Sequence, residues 1–143
     1  AATGVVAGLV AITPACAFVG PLGAIAIGAG AAVVCYSAIA FLKPRFGYDD
    51  SLDVFGVHGI GGMWGAIGTA LFISSEWGLQ EGVNQGEQNV KQLISVGFTA
   101  VFAMVLTWII LMLLKAVLGD LRVSDDDESG GLDLAEHSET AYN

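Results

Sequence analysis

Residues 54–75 read VFGVHGIGGMWGAIGTALFISS, a run with no acidic or basic side chain apart from one imidazole, His58. A bilayer core takes about 20 apolar residues to cross as a helix, so the run has the length of a membrane span. Gly56, Gly59, Gly61, Gly62, Gly65 and Gly68 fall within it. Gly61-x-x-x-Gly65 is the small-residue spacing that lets membrane helices approach closely. An ionisable ring at bilayer depth is costly and generally faces an interior cavity or pathway. On a regular α-helix His58 shares a face with Gly61, Gly62 and Gly65, at i+3, i+4 and i+7. The imidazole then projects where neighbouring backbones come near or where a narrow path runs. A structural histidine bonded to a partner helix is the competing reading, and spacing does not separate the two.

The rest of the 143 residues agrees with a membrane setting. The chain is 55% hydrophobic and 13% charged, with mean hydropathy +0.70, whereas soluble domains carry about 25% charged residues. Residues 15–42 and 92–114 are two more uncharged runs of spanning length, and residues 1–12 read as the end of another span. Pro14 and the Gly20-Pro21 pair punctuate the chain between the first two. Ala1 opens in mid-run without a basic leader, which reads as a piece of a longer protein. Residues 1–119 are therefore expected to be transmembrane and 120–143 to be a tail. The tail, with Asp125-Asp126-Asp127-Glu128 before Ser-Gly-Gly, is expected to be irregular.

Basic residues orient the spans. Lys43, Arg45, Lys115 and Arg122 lie in the 43–53 loop or just beyond the last span, and only Lys91 lies in the 76–91 loop, beside Glu76, Glu81 and Glu87. The positive-inside rule puts the 43–53 loop and the tail in the cytoplasm. Two crossings separate them, which agrees.

The remaining polar residues have structural readings. Asp49, Asp50 and Ser51 precede a helix and suit capping of its free N–H groups. Asp53, at the membrane boundary, suits anchoring of neighbouring backbone. Thr13 precedes Pro14, which disfavours helix there and frees a carbonyl that could meet a cation. Trp64, Trp77 and Trp108 suit packing or interface anchoring, and Cys16 and Cys35 suit burial as small apolar groups. There is no basic patch for nucleic acid, no metal-ligand spacing, no cofactor fingerprint and no nucleophile–base pattern, so the chain does not read as an enzyme.

The run DDSLDVFGVHGIGG, residues 49–62, resembles the signature of the ammonium transporter family (Amt/Mep/Rh), in its bacterial and archaeal Amt branch. The stretch AGLVAITPA, residues 7–15, resembles that family's eighth span. LRV at 121–123, GLD at 131–133 and ETAY at 139–142 resemble its cytoplasmic end. The resemblance implies an all-α, polytopic membrane helix bundle. This chain would be the end of span eight, spans nine to eleven and the tail of an eleven-span inverted-repeat transporter. It also implies a homotrimer with a pore in each subunit, in the plasma or inner membrane, serving nitrogen uptake.

Residue by residue, the resemblance makes His58 the second of two pore histidines and Val54 an apolar pore-lining position. Thr13 matches a position of the outer ammonium recruitment site. Asp49, Asp50 and Asp53 belong to the helix end, and Gly61 and Gly65 to helix packing. The implied cargo is ammonium or ammonia, with methylammonium as an analogue, and the implied tail partner is a PII-type regulatory protein. NH4+ would be stripped of water and deprotonated, NH3 would pass an apolar pore, and the proton would travel separately between imidazoles. The chain departs from the family pattern at Asp120, before Leu121, and at Ser138, where the family has His-Gly-Glu. An ammonium sensor of the same fold with little flux is the alternative function. A purely structural bundle is the third class, and it predicts that His58 tolerates Asn or Gln.

Overall fold

The computed structural model describes residues 1–73 and 84–140. Among them the chain is helical, with one isolated bridge between Val19 and Ile73. Trp77, Glu76, Glu81, the end of the 54–75 run and Tyr142 lie outside the described residues. Contacts divide the chain into two units, residues 1–99 and 100–143.

In the first unit, α1 runs Ala2–Ile12 and closes in a tight turn, Thr13–Ala15. Helix α2 runs Pro21–Ser37, widens into a π turn at Ala38–Leu42 and continues as α3, Lys43–Phe46. Gly20 takes an extended cap conformation and Pro21 sits in the first turn, where its missing N–H costs nothing. The span expected at residues 15–42 therefore begins at Pro21 and reaches Phe46, because the Gly-Pro pair starts the helix six residues later. Gly47, at φ 61°, ends it in the left-handed conformation, its N–H bonding the Lys43 carbonyl at 2.9 Å. A second π turn, Phe55–Ile60, leads into α4, Gly61–Phe72. Helix α5, Gln85–Leu118, begins seven residues before the expected 92, so Lys91 and Glu87 lie in helix, 3.8 Å apart.

Small residues set how these helices meet. Helices α1, α2 and α4 all contact one another. Against α4, the 21–46 helix runs antiparallel in a series of close approaches. Gly23 meets Phe72, Ile27 meets Gly68, and Gly30 lies under the Trp64 indole. Further along, Cys35 meets Gly61 and Ile39 meets Gly56. Helix α1 lies parallel to α4, with the Ala11 backbone packed on Gly65. The buried residues are correspondingly small: Ala11, Ala15 and Ala31 pack with a fully buried Ile27, and Ala7, Cys35 and Val57 form a second cluster. In lipid, helix association depends on such close van der Waals contact, since the tails are as apolar as leucine.

Polar groups inside this packing find partners. Trp64 Nε1 donates to the Ile27 carbonyl at 2.9 Å, and the buried Thr69 hydroxyl donates to Gly65 O at 2.8 Å. Gln85 Nε2 donates to the Leu71 carbonyl at 2.9 Å, in the last turn of α4. Trp64→Phe keeps the ring but loses its hydrogen bond, and should cost about 1 kcal/mol, read as a lower thermal midpoint in detergent. Cys35 is buried as expected. Cys16 is exposed instead, because it falls in the break before Pro21 and not on a packed helix face.

No residue of α5 is buried, and in the part of it that opens the second unit Val101, Phe102, Met104 and Trp108 stand exposed on all sides. A helix apolar all round belongs in a membrane or a large core. Gly119, at φ 85°, stops it, with its N–H on the Lys115 carbonyl at 3.0 Å. The tail is not wholly irregular: α6, Asp125–Gly130, and α7, Leu132–His137, pack together. Ser124 caps α6 by accepting from Asp127 N at 3.1 Å, and four acids fill the first turn, where they complement the dipole. Arg122 adds an ion pair to Glu128 at 2.9 Å. Ser138 ends α7 at φ 54°, a left-handed conformation that glycine adopts without strain.

Candidate functional site

The approach to His58 is built from acids and one lysine. Tyr48 meets Phe55 edge-to-face, with ring centroids 5.6 Å apart. The Asp50 carboxylate accepts from two backbone N–H groups, Val54 at 2.7 Å and Phe55 at 2.9 Å. Two of the orphan donors at the start of this helix are thereby satisfied. Asp50→Ala should lower stability by about 1–2 kcal/mol, read as a shifted denaturation midpoint, while Asp50→Asn should retain part of the cap.

Asp53 has a different role from Asp50. Its backbone is left-handed, at φ 55°, a region that Asp and Asn enter more readily than other non-glycine residues. Its side chain accepts from Lys43 Nζ at 2.7 Å, and the same ammonium donates to the Asp50 carbonyl at 2.6 Å. Lys43 serves sequence reading only as a topology marker. Its spacing from Asp53 holds no helical relation, so nothing short of the folded loop pairs them.

Past that loop the backbone opens into the π turn Phe55–Ile60, which contains His58. Such turns are rare and frequently found at functional sites. The wider turn separates residues that a regular helix would align. Gly61 and Gly65 are buried against Cys35 and the Ala11 carbonyl, while His58 is exposed. His58 therefore does not lie on the buried face of Gly61 and Gly65 that regular α-helical spacing would give it. The His58 imidazole makes no hydrogen bond among the described residues, so nothing there ties the ring to a partner helix. Val54, one turn earlier, is half exposed. Gly62 faces open space.

Thr13 lies toward the other end of α4. Its hydroxyl donates to the Leu9 carbonyl at 2.7 Å, closing the last turn of α1, and the residue is exposed. With the Ala11 backbone against Gly65, Thr13 stands level with the residues just beyond Gly65. The axial separation from His58 is roughly 13 Å at the helical rise per residue.

A family model described as Ammonium Transporter Family matches residues 1–142. The chain belongs to that family. It is 48% identical over 143 residues to an ammonium transporter of Aquifex aeolicus, covering 99% of this chain and 33% of the relative. It is 43% identical over 146 residues to an ammonium transporter of Bacillus subtilis, covering 99% and 36%. Similarity to the ammonium transporter Amt1 of Archaeoglobus fulgidus is also 43%, over 143 residues, covering 98% and 36%. The chain spans about a third of the length of these relatives. This member of the ammonium transporter family is thus an all-α membrane protein. Pro21–Phe46 and Gln85–Leu118 are each long and apolar enough to cross a bilayer, and residues 54–72 form a third helical stretch of nearly that length.

Proposed function

We propose that the chain supplies one wall of an ammonium-conducting pore, with His58 as its proton-handling group, Val54 lining the path and Thr13 helping to receive the cation. The observation that carries this reading is His58 itself. A single imidazole stands clear of helix packing in a π turn, on a helix whose other face is closed by glycine contacts. An imidazole so placed can accept a proton and return it.

Chemistry at Thr13 supports the outer site. Its hydroxyl hydrogen is committed to Leu9, which leaves the oxygen lone pairs free to accept from an N–H donor. Ammonium offers four such donors and K+ offers none. NH4+ received there would lose water and then its proton, and NH3 would cross apolar surface while the proton passes between ring nitrogens. Loop 43–53 and the tail would face the cytoplasm in the plasma or inner membrane. Homotrimeric assembly and a PII-type protein at the tail belong to the same reading, with methylammonium as a usable analogue of the cargo. The test is ammonium-evoked current across liposomes reconstituted with the full-length protein, compared with K+ at the same gradient. A current carried by ammonium and absent with K+ is expected. No ammonium-dependent current or uptake would overturn the reading.

A further inference from the structure

We propose that Lys43 is a positioning residue for His58: by clamping residues 50–53 it holds the π turn that keeps the imidazole off the packed face. The effect on flux rests on the transport reading above; the effect on the ring does not.

The geometry runs in one connected path. Lys43 Nζ touches Asp53 Oδ1 at 2.7 Å and the Asp50 carbonyl at 2.6 Å, and neither partner side chain of the ion pair is more than a third exposed. The same Asp50 carbonyl also accepts from Asp53 N at 3.0 Å. The Asp50 carboxylate in turn holds the N–H groups of Val54 and Phe55, and Phe55 opens the π turn. His58 lies three residues further on. Asp53 is kept in a left-handed conformation; its backbone is tied to Asp50 and Val57, and removing its ionic partner removes the side-chain part of that hold.

The other end of the turn is pinned independently. Gly61 packs on Cys35 and Gly65 on the Ala11 backbone, and within the turn Gly56 packs on Ile39. A π turn is rare, and the surrounding contacts must hold it in place of the ordinary α form. With the glycine contacts fixed, release at the Lys43 end lets residues 55–60 relax toward regular α geometry. Regular geometry brings His58 onto the face of Gly61 and Gly65, against α1 and α2. The lysine therefore governs which way the ring points without touching it.

The experiment compares Lys43→Gln, Lys43→Arg and Asp53→Asn in the full-length protein in lipid bilayers. Asp53→Asn keeps the side-chain size and the tolerance for left-handed backbone, so it serves if Lys43→Gln fails to fold. Two readouts are taken: the imidazole 15N signals of His58, assigned by their loss in His58→Gln, and the ratio of ammonium to K+ current. Lys43→Gln and Asp53→Asn should move the His58 signals and lower the current ratio by about three- to tenfold. Lys43→Arg should restore both, since it keeps the positive charge. A merely structural lysine would reduce the amount of protein and leave both readouts at wild-type values in what remains, and that result overturns the proposal. If wild-type protein carries no ammonium current yet the ring signals move, positioning stands and the transport reading falls. If wild-type protein conducts and neither readout moves in the folded variants, positioning falls and transport stands.

Discussion

His58→Leu in the full-length protein should abolish ammonium-evoked current or let K+ share the path. NH4+ and K+ are nearly the same size, so a pore selects between them by what ammonium can do and K+ cannot, which is to donate hydrogen bonds and lose a proton. Leucine matches the bulk of the ring and keeps the wall apolar, but it cannot take a proton. A positioned proton-transfer group contributes about 100- to 10,000-fold to the step it serves. The current should therefore fall by about two orders of magnitude if deprotonation is obligatory. Loss of the exclusion of K+ is the other expected form of the defect. The His58 imidazole is exposed and lacks a hydrogen bond among the described residues, so the substitution should leave the packing of α1, α2 and α4 intact. Wild-type current with unchanged ion preference would remove the imidazole from the mechanism. A variant that loses current only because it unfolds would return His58 to a structural part.

Gly65→Val should be the most damaging substitution in the packed unit. A Cβ at Gly65 falls onto the Ala11 carbonyl and its neighbouring backbone atoms. A flexible side chain could swing away, but backbone in a helix cannot move without displacing α1 as a whole. Overpacking of this kind costs about 1–3 kcal/mol, and more where backbone is the obstacle. Gly62→Ala is the matched control, because nothing lies within 4 Å of the added carbon. There the lower backbone entropy of alanine should stabilise the helix by roughly 0.5–1 kcal/mol. Thermal unfolding of the two variants in detergent, monitored by size-exclusion of the surviving fraction, separates them. Equal midpoints for both would mean that α1 does not pack on α4 in the assembled protein.

Much of the architecture was legible in the chain itself. Uncharged runs of spanning length, interrupted by Gly20-Pro21 and by the charged stretch from Lys43 to Asp53, already specify helices and the turns between them. The glycine spacing around Gly61 and Gly65 marks where another backbone can come close, since only a missing side chain permits it. The acids before Val54 are recognisable as a helix start, and Asp50 is the one whose carboxylate holds Val54 and Phe55. The family signature around His58 is carried by local sequence and needs no coordinates.

Other features depend on residues far apart in sequence. The 3.6-residue period assumes a regular helix, and it places His58 beside Gly61 and Gly65. A π turn leaves no mark in composition, because it arises when contacts at both ends hold more residues than an α turn would accommodate. Those contacts come from Lys43 on the preceding helix, from Ile39 and Cys35, and from Ala11 on the first. The exposure of Cys16 and the helices of the tail are of the same kind, set by where a helix starts and what caps it. Local chemistry thus determined that this chain carries apolar helices of membrane length and a single imidazole within the uncharged 54–75 run. Only the tertiary structure decided which way that imidazole faces, because side-chain direction follows backbone winding, and winding here is imposed by neighbouring helices.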